Sequence, residues 1–303
     1  MLPPDDFNPP VGIAEELEPG LRRLLAPNPS PMTYRGTNTY LLGERDIAVI
    51  DPGPDDPVHL QAILSALHPG QRISHIIVTH AHLDHSPLAR ALSARTDAPV
   101  YAYGDFLAGR SAVMQDLAAA GLAGGGEGTD TAFAPDITIA DKEQIQGDGW
   151  ALRALWTPGH FGNHLSFEWE EAVFTGDLVM GWASSLVSPP DGDLTDFMRS
   201  CEMLQDIRAD RYHAGHGAPV RAPLERVSWL LEHRRSRETA ILQALEGHRA
   251  TAQALARKIY TDTPEALIPA ATRNVFAHLV DLAGKNMVTA AQGLSASAQF
   301  QLK

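Results

Sequence analysis

The chain has one cysteine, Cys201, in 303 residues. That excludes an internal disulfide and leads to the expectation of a reducing, cytoplasmic setting. No apolar run approaches the length of about 18 residues that a spanning helix needs, so no membrane partner is expected. The opening stretch, Met1 to Gly20, is Pro-rich and acidic and lacks the basic start and apolar middle of a secretory signal. Basic charge is also scarce: 24 Lys and Arg stand against 37 Asp and Glu, a formal −13. The shortage is local. Residues 1–220 hold 13 basic and 30 acidic side chains, a net −17, whereas residues 221–303 hold 11 and 7, a net +4. The main body therefore repels polyanions and the tail attracts them weakly. This shift places a boundary near Arg221, between a large unit (1–220) and a small one (221–303), as suits a chain longer than one core usually supports.

Against these absences stands one dense motif, Thr79-His80-Ala81-His82-Leu83-Asp84-His85, directly after the apolar run Ile73 to Val78. Imidazole and carboxylate suit Zn²⁺, Mn²⁺ or Fe, and four such groups in one turn make sense mainly as half of a two-metal centre. Around it, Leu21–Leu25, Asn38–Leu42, Ile47–Ile50, Ile73–Val78 and Val100–Tyr103 have the character of strands. So do Ile137–Ala140, Ala151–Trp156, Leu165–Trp169 and Ala172–Thr175. Helical spacing covers Val58–Leu67, Pro87–Thr96, Phe106–Leu122 and Leu194–Ile207, and Gly124-Gly125-Gly126 implies a loop or lid. Two rounds of strands followed by helices suggest sheets inside and helices outside. From Leu224 the pattern becomes three helices, Leu224–Leu245, Thr251–Tyr260 and Glu265–Ala283, and then a terminal β-ribbon within Asn286–Leu302, the order of a winged helix.

Four further motifs lie at the edges of expected strands: Asp51-Pro52-Gly53, Thr157-Pro158-Gly159-His160, Phe174-Thr175-Gly176-Asp177 and Ala214-Gly215-His216-Gly217. With them, residues from about 20 to 220 resemble the metallo-β-lactamase fold superfamily. The likeness is closest to the branch of glyoxalase II and the β-lactamase-like protein 2 ribonucleases, some members of which carry a C-terminal winged helix. The resemblance implies an α+β fold, a four-layer αββα sandwich with a small winged-helix domain. It also implies two divalent metals, zinc first with Mn or Fe as alternatives. Carried over, His80, His82 and His160 would hold one metal and Asp84, His85 and His216 the other. Asp177 would bridge them, and Asp51 would orient the ligand loop. The class B1 antibiotic-hydrolysing enzymes place a Cys where this chain has Asp177, so that activity is disfavoured.

Two metals sharing Asp177 would lower the pKa of a bound water from 15.7 toward about 7 and provide hydroxide at neutral pH. The expected activity is therefore a dinuclear hydrolase of an ester, thioester, lactone or similar small substrate, with Asp84 and Asp177 as catalytic groups. The alternatives are an endoribonuclease acting on single-stranded RNA or another phosphodiesterase, a mononuclear iron dioxygenase, and a winged-helix DNA-binding regulator; a homodimer is left open. His164 is a candidate proton donor, while His213 is read as structural and His59, His68, His75, His233, His248 and His278 as non-ligands. Tyr34, Asn38, Tyr40, Trp182, Ser184 and Ser185 are candidates for the cleft wall. The run His233-Arg234-Arg235-Ser236-Arg237, flanked by Glu232 and Glu238, is read as a solvated helix face.

Overall fold

The computed structural model describes residues 6–303; Met1 to Asp5, the start of the Pro-rich opening, lie outside them. Along the chain run β1 (Glu15–Glu18), β2 (Leu21–Leu25), β3 (Asn38–Leu42), β4 (Asp46–Ile50), α1 (Pro57–Ser65), β5 (Arg72–Ile77), α2 (Leu88–Thr96), β6 (Val100–Ala102), α3 (Ala112–Ala119) and β7 (Ile137–Thr138). There follow β8 (Gln144–Gly147), β9 (Trp150–Trp156), β10 (Leu165–Trp169), β11 (Ala172–Gly176), α4 (Leu194–Gln205) and β12 (Arg211–Ala214). The chain ends with α5 (Pro223–Leu245), α6 (Ala252–Ile259), α7 (Ile268–Gly284), β13 (Val288–Ala290) and β14 (Phe300–Leu302).

Strands β1 to β7 form one sheet in chain order, antiparallel through β4 and parallel beyond it. The second sheet has the order β12-β11-β10-β9-β8 and is antiparallel except for β11 with β12. The two-residue side-chain period of a strand sorts the core into layers. Leu41, Ile47 and Val49 face outward onto Ile63 of α1 and Leu88 and Leu92 of α2. Their neighbours Tyr40, Leu42, Ala48 and Ile50 face inward and meet Leu152, Ala154, Phe167 and Phe174 of the second sheet. Leu155 and Val173, on its far side, pack on Phe197, Cys201 and Leu204 of α4 and on Val227, Leu230 and Leu231 of α5. The result is the αββα sandwich.

Helix α5 is 23 residues long and serves two cores: its first half lies on the sandwich, and Ile241, Ala244 and Leu245 join α6, α7 and Phe300 of the terminal ribbon. Met114 and Leu117 of α3 also belong to that C-terminal cluster. Polar contacts tie the units together as well, as where Thr195 Oγ1 donates to Asp281 Oδ1 at 2.7 Å. No helix among the described residues is long and apolar enough to cross a membrane.

Local differences from the sequence reading have local causes. The helix expected over Phe106–Leu122 shortens to α3, because Gly109 takes φ +75° and its Cα packs so near the Gly162 carbonyl that a Cβ would lie 2.1 Å from the oxygen. Ser111 then caps the shorter helix by accepting from Met114 N. Strands β1, β8 and β12 carry too few apolar residues to announce themselves, and each gains its place by pairing with a neighbour.

Candidate metal centre

The C-terminal ends of β4, β5, β9, β11 and β12 converge on one edge of the sandwich, and each is followed by one of the sequence motifs. His80 to His85 follow β5, His160 follows β9, Asp177 follows β11 and His216 follows β12. All seven are buried, none more than 6% exposed, in two groups: His80, His82 and His160, and Asp84, His85, Asp177 and His216.

In the first group His82 Nδ1 lies 2.9 Å from His80 Nε2 and 3.0 Å from His160 Nε2. Nitrogens bound to one tetrahedral Zn²⁺ at 2.0–2.1 Å would be roughly 3.3 Å apart. In the second group His216 Nε2 is 3.1 Å from Asp84 Oδ2 and 3.3 Å from His85 Nε2. Asp177 spans the groups: its Oδ2 lies 3.2 Å from His216 Nε2 and 3.7 Å from His160 Nε2.

The outward nitrogens decide which way the inward ones act. Nδ1 of His80 faces Thr79 Oγ1 at 2.9 Å, and the hydroxyl donates onward to Asp51. Nδ1 of His160 faces the Leu186 carbonyl at 2.8 Å, that of His216 the Gly36 carbonyl at 3.1 Å, and that of His85 Asp51 Oδ2 at 2.9 Å. Each acceptor requires a proton on Nδ1, which leaves the Nε2 lone pair aimed at the cluster, the usual support of a metal-bound imidazole. Asp51 itself sits at φ +51° after β4, where its other oxygen accepts from Thr79 N–H at 2.7 Å. Gly215 makes room: a Cβ there would meet Asp177 Oδ1 at 2.3 Å.

Left to one another, the two groups differ in charge. Burial, reinforced by crowding among the rings, holds His80 well below the ordinary imidazole range and His82 down to about 3. Burial opposes protonation of His216 too, but Asp177 and Asp84 override it and carry that ring up to about 10. Against the same burial, Asp84, Asp177 and Asp51 raise His85 well above its usual value. Asp84 Oδ1 and Asp177 Oδ1 are buried without any hydrogen-bond partner. Interiors rarely leave carboxylate oxygens in that state, and divalent cations would satisfy both. The donor set therefore fits two metal ions.

Other sequence candidates fall around this centre. His164 is fully buried: Nδ1 lies 2.9 Å from Thr157 Oγ1, and Nε2 accepts from Asp177 N–H at 3.3 Å. Both ring nitrogens are thus engaged with the chain itself. His213 faces Glu18 at 2.9 Å, away from the cluster. Asn38 and Tyr40 point at the loop that carries His216, both donating to the Ala214 carbonyl. Ser185 Oγ donates to the Asp177 carbonyl, and Trp182 stacks on Tyr34 with ring centroids 5.2 Å apart. Arg234 departs from the solvated face expected of it: it is 2% exposed, and its guanidinium donates to the Ser185 carbonyl. The sequence assigns no role to Thr79, to Asn274 or to the carbonyls of Gly36 and Leu186. Thr79 heads the motif but carries no ligating atom of the kind the motif is read for; a carbonyl leaves no mark in a sequence.

Residues 32–216 match the family described as the metallo-beta-lactamase superfamily, and residues 251–293 match the beta-lactamase associated winged helix domain. A protein from Caenorhabditis elegans named beta-lactamase-like protein 2 homolog is 30% identical over 271 residues, 86% of this chain and 83% of that protein. An Aspergillus fumigatus protein named atrochrysone carboxyl ACP thioesterase is 30% identical over 248 residues, 78% of this chain and 69% of its own length. Among solved structures, a beta-lactamase domain protein from Burkholderia ambifaria superposes with a TM-score of 0.81 at 20% identity, covering 100% of this chain and 97% of that one.

Proposed function

Because the chain belongs to the metallo-beta-lactamase superfamily, we propose that it is a dinuclear metal-dependent hydrolase of small acyl substrates, thioesters foremost. The carrying observation is the placement of Asp177 Oδ2 against His216 of one group and His160 of the other. Two divalent ions, zinc by the number of imidazoles and Mn or Fe by the carboxylates, would supply Lewis acidity and a nucleophilic water at neutral pH.

The chain's own residues do the rest. His80, His82 and His160 would hold one ion and Asp84, His85 and His216 the other, with Asp177 placed between the two groups. Burial of the ligands keeps bulk water away, which strengthens every charge interaction in the site. Asp51 fixes His85 and, through Thr79, the strand end that bears His80. His164 positions Asp177 by accepting its backbone N–H, with burial keeping the ring neutral.

This placement of His164 bears on the substrate. With both its nitrogens engaged it has no proton to offer a departing group. A thiol has a pKa of about 8.5, so its thiolate departs without protonation, whereas an alkoxide does not. The 30% identity to a protein named as a thioesterase supports the same choice, and the −17 charge of residues 1–220 opposes binding of RNA. The test is a panel of acyl thioesters, lactones, phosphodiesters and single-stranded RNA offered to the metal-loaded protein. Thioester turnover is expected; cleavage of RNA or phosphodiesters with no acyl hydrolysis would overturn this reading.

A further inference from the structure

Arg234 lies within the basic run of α5, yet it is among the largest fully buried side chains of the molecule. A buried guanidinium costs several kcal/mol unless it is well paired, and no carboxylate forms an ion pair with it among the described residues. Its partners are neutral. Nη2 donates to the Ser185 carbonyl, Nη1 donates to Asn274 Oδ1 at 3.0 Å, and the Phe197 ring lies 5.0 Å from the guanidinium carbon. Asn274, from α7, accepts at the same oxygen from Val187 N–H at 3.0 Å. Helices α5 and α7 thereby grip residues 185 and 187 on either side of Leu186.

Those residues touch both ligand groups. The Leu186 carbonyl sets the ring of His160. The Ser185 hydroxyl donates to the carbonyl of Asp177 at 2.5 Å and to that of Leu178 at 2.8 Å. Just beyond, Arg273 of α7 donates to Ser188 Oγ at 2.9 Å and to the Pro189 carbonyl at 3.2 Å. An energetically expensive arrangement placed against two ligands signals a functional demand more than a demand of folding.

We propose that Arg234 and Asn274 are positioning residues of the metal centre, through which the C-terminal helices hold segment 185–187 and hence His160 and Asp177 in ligating geometry. This inference rests on the metal-centre reading above. The helical tail then completes the site instead of merely being attached to it.

The test uses the full-length protein. Metal stoichiometry and dissociation constants are measured by chelator competition for wild type, Arg234→Met, Asn274→Leu, Asn274→Asp and the exposed-pair control Arg235→Met, with melting of each metal-free form alongside. Direct partners of metal ligands are worth 10- to 100-fold in affinity; one step further out, Arg234→Met and Asn274→Leu should weaken retention by roughly tenfold. Asn274→Asp keeps the acceptor oxygen and should recover most of the loss, and Arg235→Met should match wild type. Should Arg234→Met fail to fold, the Asn274 pair carries the comparison. Variants that melt earlier but hold metal with wild-type constants would overturn the inference alone. A wild-type protein that binds no metal would overturn the centre and this inference with it.

Discussion

The carboxylate of Asp51 lies 2.9 Å from Nδ1 of His85 while its other oxygen holds the Thr79 backbone N–H at 2.7 Å. One side chain thus fixes both the orientation of a candidate ligand and the start of the loop carrying four of the seven candidates. Asp51→Ala should lower metal affinity by roughly 10- to 100-fold, as loss of such outer partners does elsewhere. Chelator competition measures this. Wild-type affinity in the variant would show that the ligand loop holds its geometry unaided.

The contrast between the ligand groups makes metal loading asymmetric in pH. His80 and His82 are pressed toward the neutral form, so protons compete little for their lone pairs near neutrality. His216, raised to about 10, and His85, raised well above its usual value, must lose protons before they ligate. Calorimetric titration of metal-free protein from pH 6 to 9 should resolve one step almost independent of pH. The other should tighten as pH rises and release protons. Two steps with the same pH dependence would contradict the charge assignment.

His164→Phe separates positioning from proton donation. As the acceptor for Asp177 N–H, His164 should affect metal retention when replaced, together with kcat for a thioester. A pure proton donor would leave metal content intact and alter only the pH profile. Elemental analysis of the variant decides between the two.

Gly215→Ala would put a methyl 2.3 Å from Asp177 Oδ1 and 2.8 Å from His85 Cε1. Both atoms belong to ligands packed in a full interior, so the carboxylate must shift. Hydrolysis should drop by at least about tenfold, with metal lost, while far-UV circular dichroism stays native. Full activity would mean that Asp177 can move without consequence.

Much of this was legible in the sequence, for reasons that differ by part. Strands β3, β4, β5 and β10 are short segments rich in aliphatic and aromatic residues between turn residues, and the seven candidate ligands come in motifs at strand ends, where Gly215 and Gly176 leave space. Strand β12 gives little signal because Arg211-Tyr212-His213-Ala214 is four residues long and half polar, and its place comes from parallel pairing with β11. Arg234 was misread because its charge matches that of its exposed neighbour Arg235; only the packing of α5 on α4 and α7 distinguishes them. The carbonyls of Leu186 and Gly36 act on ligands through backbone atoms that any residue could supply.

The central claim, that Asp177 joins two metal ions, is tested most directly by counting metal per chain in protein saturated with Zn²⁺, Mn²⁺ or Fe²⁺ and freed of excess. Elemental analysis should return two ions per wild-type chain and fewer for Asp177→Ala. A wild-type value that stays at one with every metal would contradict the dinuclear centre and the hydrolytic function built on it.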